Sequence, residues 1–76
     1  MDESVLSERV SRLLLSGELP TTVPERCVGG PGSGRRCDVC RMHIEVCDLE
    51  VEVDGRFSLH PGCYLLWVTT VRRLAA

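Results

Sequence analysis

Lysine is missing from this chain of 76 residues, and all nine of its basic residues are arginine. Nine basic side chains face eleven acidic ones, a formal charge of −2. No overall positive field therefore draws in nucleic acid. The arginine bias, together with abundant Gly, Val and Leu, reads as the coding habit of a GC-rich genome. Long apolar runs are also missing. None approaches the roughly 18 residues that a membrane span needs. The opening stretch MDESVLSERVSRLLLSGELP has neither a positively charged start nor an uninterrupted apolar segment. A secretory leader is not expected, and a cytoplasmic location without membrane attachment is. The chain is short of core as well. Below roughly 70–80 residues a hydrophobic core supplies only about 3–5 kcal/mol, and natural domains of this size add disulfides or a metal.

The five cysteines are an odd number, so a closed disulfide framework would leave one over. In a reducing cytosol, paired cysteines bind metal more often than they form bridges. Four residues carry that reading: Cys37-x2-Cys40 and, nineteen residues later, His60-x2-Cys63. A two-residue gap lets both members of a pair face one ion, and four S and N donors close a tetrahedron around Zn²⁺. One structural zinc on Cys37, Cys40, His60 and Cys63 is expected. A redox pair at Cys37 and Cys40 competes poorly, because thioredoxin-like chemistry wants a βαβ setting and here a Gly-rich stretch precedes the pair. Cys27, His43 and Cys47 are the substitute ligands. A set of Cys37, Cys40, His43 and Cys47 would crowd the donors and leave His60 and Cys63 unexplained. His43 is expected in a solvent-facing turn, Cys47 as a small buried residue at a strand kink, and Cys27 as a free thiol.

Around this set the chain divides into three parts. Residues 1–19 hold an amphipathic helix over 4–16, with Leu6, Val10, Leu13 and Leu14 at i, i+4, i+7 and i+8. Glu8, Arg9, Ser11 and Arg12 fall on its other face. Gly17 and Pro20 end it. Residues 20–36 form a Gly/Pro-rich connector, and Val28-Gly29-Gly30-Pro31-Gly32-Ser33-Gly34 reads as structureless. Gly29 and Gly34 mimic a phosphate loop in spacing only, since Arg35 and Arg36 stand where Lys and Ser/Thr are required. Residues 37–76 form the zinc module. After the Cys37–Cys40 knuckle, alternation predicts strands over 44–46 and 49–53. Asp54-Gly55 signals a tight hairpin, and Arg56–Leu59 returns. Pro61 then suits the first turn of a helix that carries Tyr64, Trp67, Val68, Val71 and Ala75 on one face. The acidic row Glu45, Asp48, Glu50, Glu52 and Asp54 is expected to be one solvated face.

Knuckle, hairpin and helix in that order resemble the treble clef, and C-x2-C-x19-H-x2-C resembles the first zinc half of LIM domains. That resemblance spans Cys37 to Cys63. The next LIM ligand pair would fall on Leu66 and Thr69, so LIM partners do not carry over. The stretch GGPGSGRRCDVCRMHIEVCDLEVEVDGRFSLHPGCYLLW is similar to short bacterial proteins of unknown function with a Cys knuckle, an acidic hairpin and an HxxCxxxW ending. The resemblance implies a single zinc and no established activity.

The expected fold class is therefore α+β: a small zinc-stabilised, treble-clef-like module with an added N-terminal helix. The expected function is a zinc-binding protein-interaction module that meets an unknown protein partner as a monomer or homodimer. A nucleic-acid-binding finger is the second reading, through Arg35, Arg36, Arg41, Arg72 and Arg73. No catalytic or further cofactor-binding residues stand out, and an enzyme is not expected, because a closed zinc sphere has no position for water or substrate.

Overall fold

Helix α1, Glu3–Ser16, begins where Asp2 turns to extended backbone and its carbonyl accepts the Leu6 N–H at 3.0 Å. Gly17 ends it with φ +82°, a left-handed conformation that a residue without Cβ adopts freely. Its N–H bonds the Leu14 carbonyl, and the Leu19 N–H bonds that of Leu13, which folds Leu19 back into the core. The apolar stripe read from the sequence packs inside the chain. Val10, Leu13 and Leu14 are buried and Leu6 is half-buried in the cluster that holds Trp67 and Val71. The computed structural model describes residues 2–75, and among them no helix is long and apolar enough to cross a membrane.

The fold is α+β, with two helices and one antiparallel sheet. The strands are β1 (Cys27–Pro31), β2 (Leu49–Val53) and β3 (Phe57–Leu59), in spatial order β1-β2-β3. Helix α2, Pro61–Ala75, follows β3 after one residue and packs on α1 and on the sheet. Trp67 is fully buried at the centre. Its ring meets Phe57 edge-on at 5.6 Å, and its Nε1–H donates to the Pro20 carbonyl at 2.9 Å. That bond anchors the segment leaving α1. The β2–β3 turn is the one expected at Asp54-Gly55. Both residues have positive φ, +51° and +66°, and the Arg56 N–H closes the turn onto the Val53 carbonyl.

Three expectations need correction. The stretch from Cys27 to Pro31 is a strand, not structureless, with Gly29 opposite Val51 and Pro31 opposite Leu49. A backbone ladder needs no side chains, so glycines can join one. Here the ladder is fastened at both ends. Arg26 and Asp54 exchange backbone and carboxylate bonds at one end, and the Gly32 N–H meets the Asp48 carbonyl at 2.9 Å at the other. Gly32 is also required by space, because a Cβ there would collide with the Glu45 carbonyl group. Second, no strand covers 44–46. Ile44 is buried, but Val46 is 73% exposed in a turn that leads into β2. Cys47 lies in the same turn, exposed rather than buried. Third, Glu50 is not on a solvated face. It is 7% exposed, and its Oε1 accepts bonds from the Ser33 amide and hydroxyl. Those donors hold its carboxyl below the usual range.

Leu13→Asp should detach α1. The change removes about 1.5–3 kcal/mol of apolar burial and forces a carboxylate toward the core. Amide exchange in residues 4–16 should lose its protection while the sedimenting mass stays that of the wild type. Retained protection would show that the stripe is not what holds the helix.

Candidate metal centre

The first ligand pair is set by a tight knuckle. The Arg41 N–H bonds the Cys37 carbonyl at 3.0 Å, and the Cys37 N–H bonds the Met42 carbonyl at 2.9 Å. Closing this loop takes Arg41 to φ +66°. Between the cysteines the Val39 N–H points at Cys37 Sγ, 3.4 Å away. The second pair is set by the start of α2. His60 precedes Pro61, and the Tyr64 N–H bonds the His60 carbonyl at 3.0 Å, so His60 and Cys63 flank the first turn.

Two side chains fasten the knuckle in place, and sequence reasoning misses both. Asp38 donates its N–H to the Ser58 carbonyl at 2.9 Å, and its carboxylate accepts the Ser58 N–H at 2.8 Å. The knuckle is thereby clamped to β3, two residues before His60. Arg9 is expected on the polar face of α1. Instead its guanidinium donates to the carbonyls of Cys40 (3.1 Å) and Val39 (3.4 Å), tying helix to knuckle. An aspartate inside a C-x2-C pair hints at a local clamp, but no pattern identifies Ser58 or an arginine 30 residues upstream of Val39.

Cys37, Cys40, His60 and Cys63 converge, with one ligand atom from each lying within 4.8 Å of the others. His60 Nδ1 is 3.4 Å from Cys40 Sγ. Tetrahedral bonds of about 2.3 Å to sulfur and about 2.05 Å to nitrogen would place those atoms roughly 3.6 Å apart. The donor set and its dimensions therefore fit a metal ion. The three cysteines are buried and the histidine half-buried. The substitutes stay outside. His43 is exposed, as expected, with Nδ1 3.0 Å from the Gly34 carbonyl oxygen. Cys27 is an exposed thiol that accepts the Tyr64 hydroxyl at 3.5 Å.

The electrostatics suit a cation. Cys37 is held down to about 4, first by a hydrogen bond from the Cys63 thiol and then by the amides of Cys40, His60 and Val39. Cys63, which keeps its proton for that bond, is pushed up, and burial adds to the effect. Cys40 is pushed up chiefly by burial. Three sulfurs this close cannot all ionise by themselves; a divalent ion removes the conflict by replacing protons with its own charge. Comparison with protein-family models, with curated proteins and with solved structures finds no match to this chain.

Proposed function

We propose that this chain is a structural zinc protein, with one Zn²⁺ on Cys37, Cys40, His60 and Cys63 holding together a treble-clef-like module for binding another protein. The convergence of three thiols and one imidazole carries this reading. Zinc is the natural occupant of such a Cys₃His set. The site is structural rather than catalytic, because four protein ligands complete the tetrahedron.

A protein partner is favoured over nucleic acid by the distribution of charge. Arg36, Arg41 and His43 line a hollow of about 530 Å³ together with Glu45 and Asp48, so the basic group is interrupted by carboxylates. A phosphate backbone rewards an unbroken basic track. Beside the centre, Leu6, Met42 and Leu66 line a more apolar hollow of about 400 Å³ with Cys40, His60 and Cys63.

Native mass spectrometry should find one zinc per chain. Cobalt in its place should give the intense ligand-field bands of a tetrahedral thiolate site, and Cys63→Ser should weaken them. A weak six-coordinate spectrum would show that the four residues do not act together.

A further inference from the structure

The sheet has two edges, and they are treated differently. Along β3, the Ser58 N–H and carbonyl are taken up by Asp38, so the knuckle covers that edge. β1 forms the other edge. Its partner bonds are made by alternate residues: the Arg26 carbonyl accepts the Asp54 N–H, and the Gly32 N–H reaches the Asp48 carbonyl. With the register Val28↔Glu52 and Gly30↔Glu50, the even-numbered residues face β2. The N–H and carbonyl groups of Cys27 and Gly29, and the carbonyl of Pro31, therefore point away from the sheet. Among the described residues none of these groups meets another backbone or side-chain group.

Natural edges are protected by charged side chains, bulges or a covering loop. β1 reads Cys-Val-Gly-Gly-Pro and carries no charge; only Pro31 at its end limits pairing. Val28 is 68% exposed, and next to it on the same face Gly30 leaves the strand bare. What lies behind that bare strip is acidic. A small hollow over β1 is bounded by Val28, Gly29, Gly30 and Pro31 and by the carboxylates of Glu50 and Glu52. Next to it, Glu52 and Asp54 line a second hollow with Arg26 as its one cation. Glu52 is exposed and makes no ion pair among the described residues.

We infer that the open edge of β1 accepts an extended polypeptide segment bearing Lys or Arg at alternate positions. The segment's backbone pairs with Cys27, Gly29 and Pro31, and its cations reach over Val28 and Gly30 to Glu52 and Asp54. A strand added there lies roughly 10 Å from β2 at ordinary strand spacing. A basic side chain and a glutamate cover that distance together: Val28 is the residue between an added strand and Glu52, and Gly30 beside it leaves a diagonal path with no side chain in the way. Main-chain bonds supply the affinity and the alternate side chains the selectivity, as in other strand additions. This inference names the partner chemistry of the interaction module proposed above.

The test uses the zinc-loaded chain, with metal content measured first. Its probes are a ten-residue peptide alternating Lys with Val and the same peptide with Glu in place of Lys. The lysine peptide should shift and protect the amides of Cys27 and Gly29; the glutamate peptide should not. Glu52→Lys should reverse the preference. Gly29→Pro removes an outward N–H without touching the β2 ladder, and should weaken the lysine peptide about tenfold. Gly29→Ala keeps the donor and meets only Leu49 Cδ1, at 3.9 Å, so it should bind like the wild type.

Lysine-peptide binding that ignores both Glu52→Lys and Gly29→Pro overturns the inference. If Gly29→Pro disturbs the fold, Glu52→Lys alone decides. A zinc-loaded chain that binds neither peptide also overturns it, as does a doubled mass with the edge amides already protected, which would place a second copy on the edge. A chain that holds no zinc yet binds the lysine peptide would instead remove the zinc reading and leave the edge standing.

Discussion

Removing zinc with a chelator at neutral pH should collapse the amide spectrum of residues 37–74. A structural zinc in small finger domains is worth about 10–16 kcal/mol at this pH. A core of this size alone offers about 3–5 kcal/mol. On the zinc reading the ion would therefore outweigh the core. The knuckle and the first turn of α2 meet at the Cys/His cluster, and the Asp38–Ser58 clamp fastens the knuckle to β3. Cys40→Ser should reproduce the effect of the chelator. Cys27→Ser should be nearly silent, since its exposed sulfur makes only the 3.5 Å contact with the Tyr64 hydroxyl. A dispersed spectrum after complete metal removal would end the structural-zinc reading, and equal damage from the two cysteine variants would show that the ligand set is wrong.

Acidification should be the second large effect, and its sign follows from counting protons. At pH 7 the unfolded chain holds three protons on Cys37, Cys40 and Cys63, whose ordinary values lie near 8.5. The zinc-bound ligands hold none. Stability rises with pH wherever the unfolded state binds more protons. Three protons correspond to about 4 kcal/mol per pH unit, and His60 adds a fourth below about 6.5. From pH 7 to pH 5, at fixed free zinc, the folded form should lose about 10 kcal/mol. Cys37 alone acts with the same sign: a thiol held down to about 4 stabilises the fold above its ordinary range, and that contribution disappears as pH falls through about 4. Unfolding midpoints in zinc-buffered solutions at several pH values measure the slope. A flat profile between pH 7 and pH 5 would mean that thiolates do not hold the metal.

The two Cys/His pairs and both helices are legible in the sequence because their signals are local. Two-residue gaps, a 3.6-residue stripe and the Asp54-Gly55 turn each lie within a short window. The features that do not show there depend on distant partners. β1 is hidden because a ladder of glycines leaves no side-chain pattern. Ile44 and Val46 suggest a strand by alternation, yet the chain turns at Val46 to reach β2, and Cys47 goes outside with it. Glu50 keeps its alternating position but is covered by Ser33, part of the segment that reads as a free connector. Arg9 falls on the polar side of α1 by angle alone, and the length of its side chain takes it to the knuckle.

With zinc on the proposed ligands, that last contact would make α1 and metal binding thermodynamically reciprocal. The carbonyls of Val39 and Cys40 that receive Arg9 belong to the knuckle that presents Cys37 and Cys40. Whatever a bound ion does to steady them would lower the cost of docking the helix, and by linkage the docked helix would tighten the grip on the ion by the same factor. On the zinc reading, affinity for metal would thus be a property of the whole chain, with a helix that begins 34 residues before Cys37 counted among its determinants.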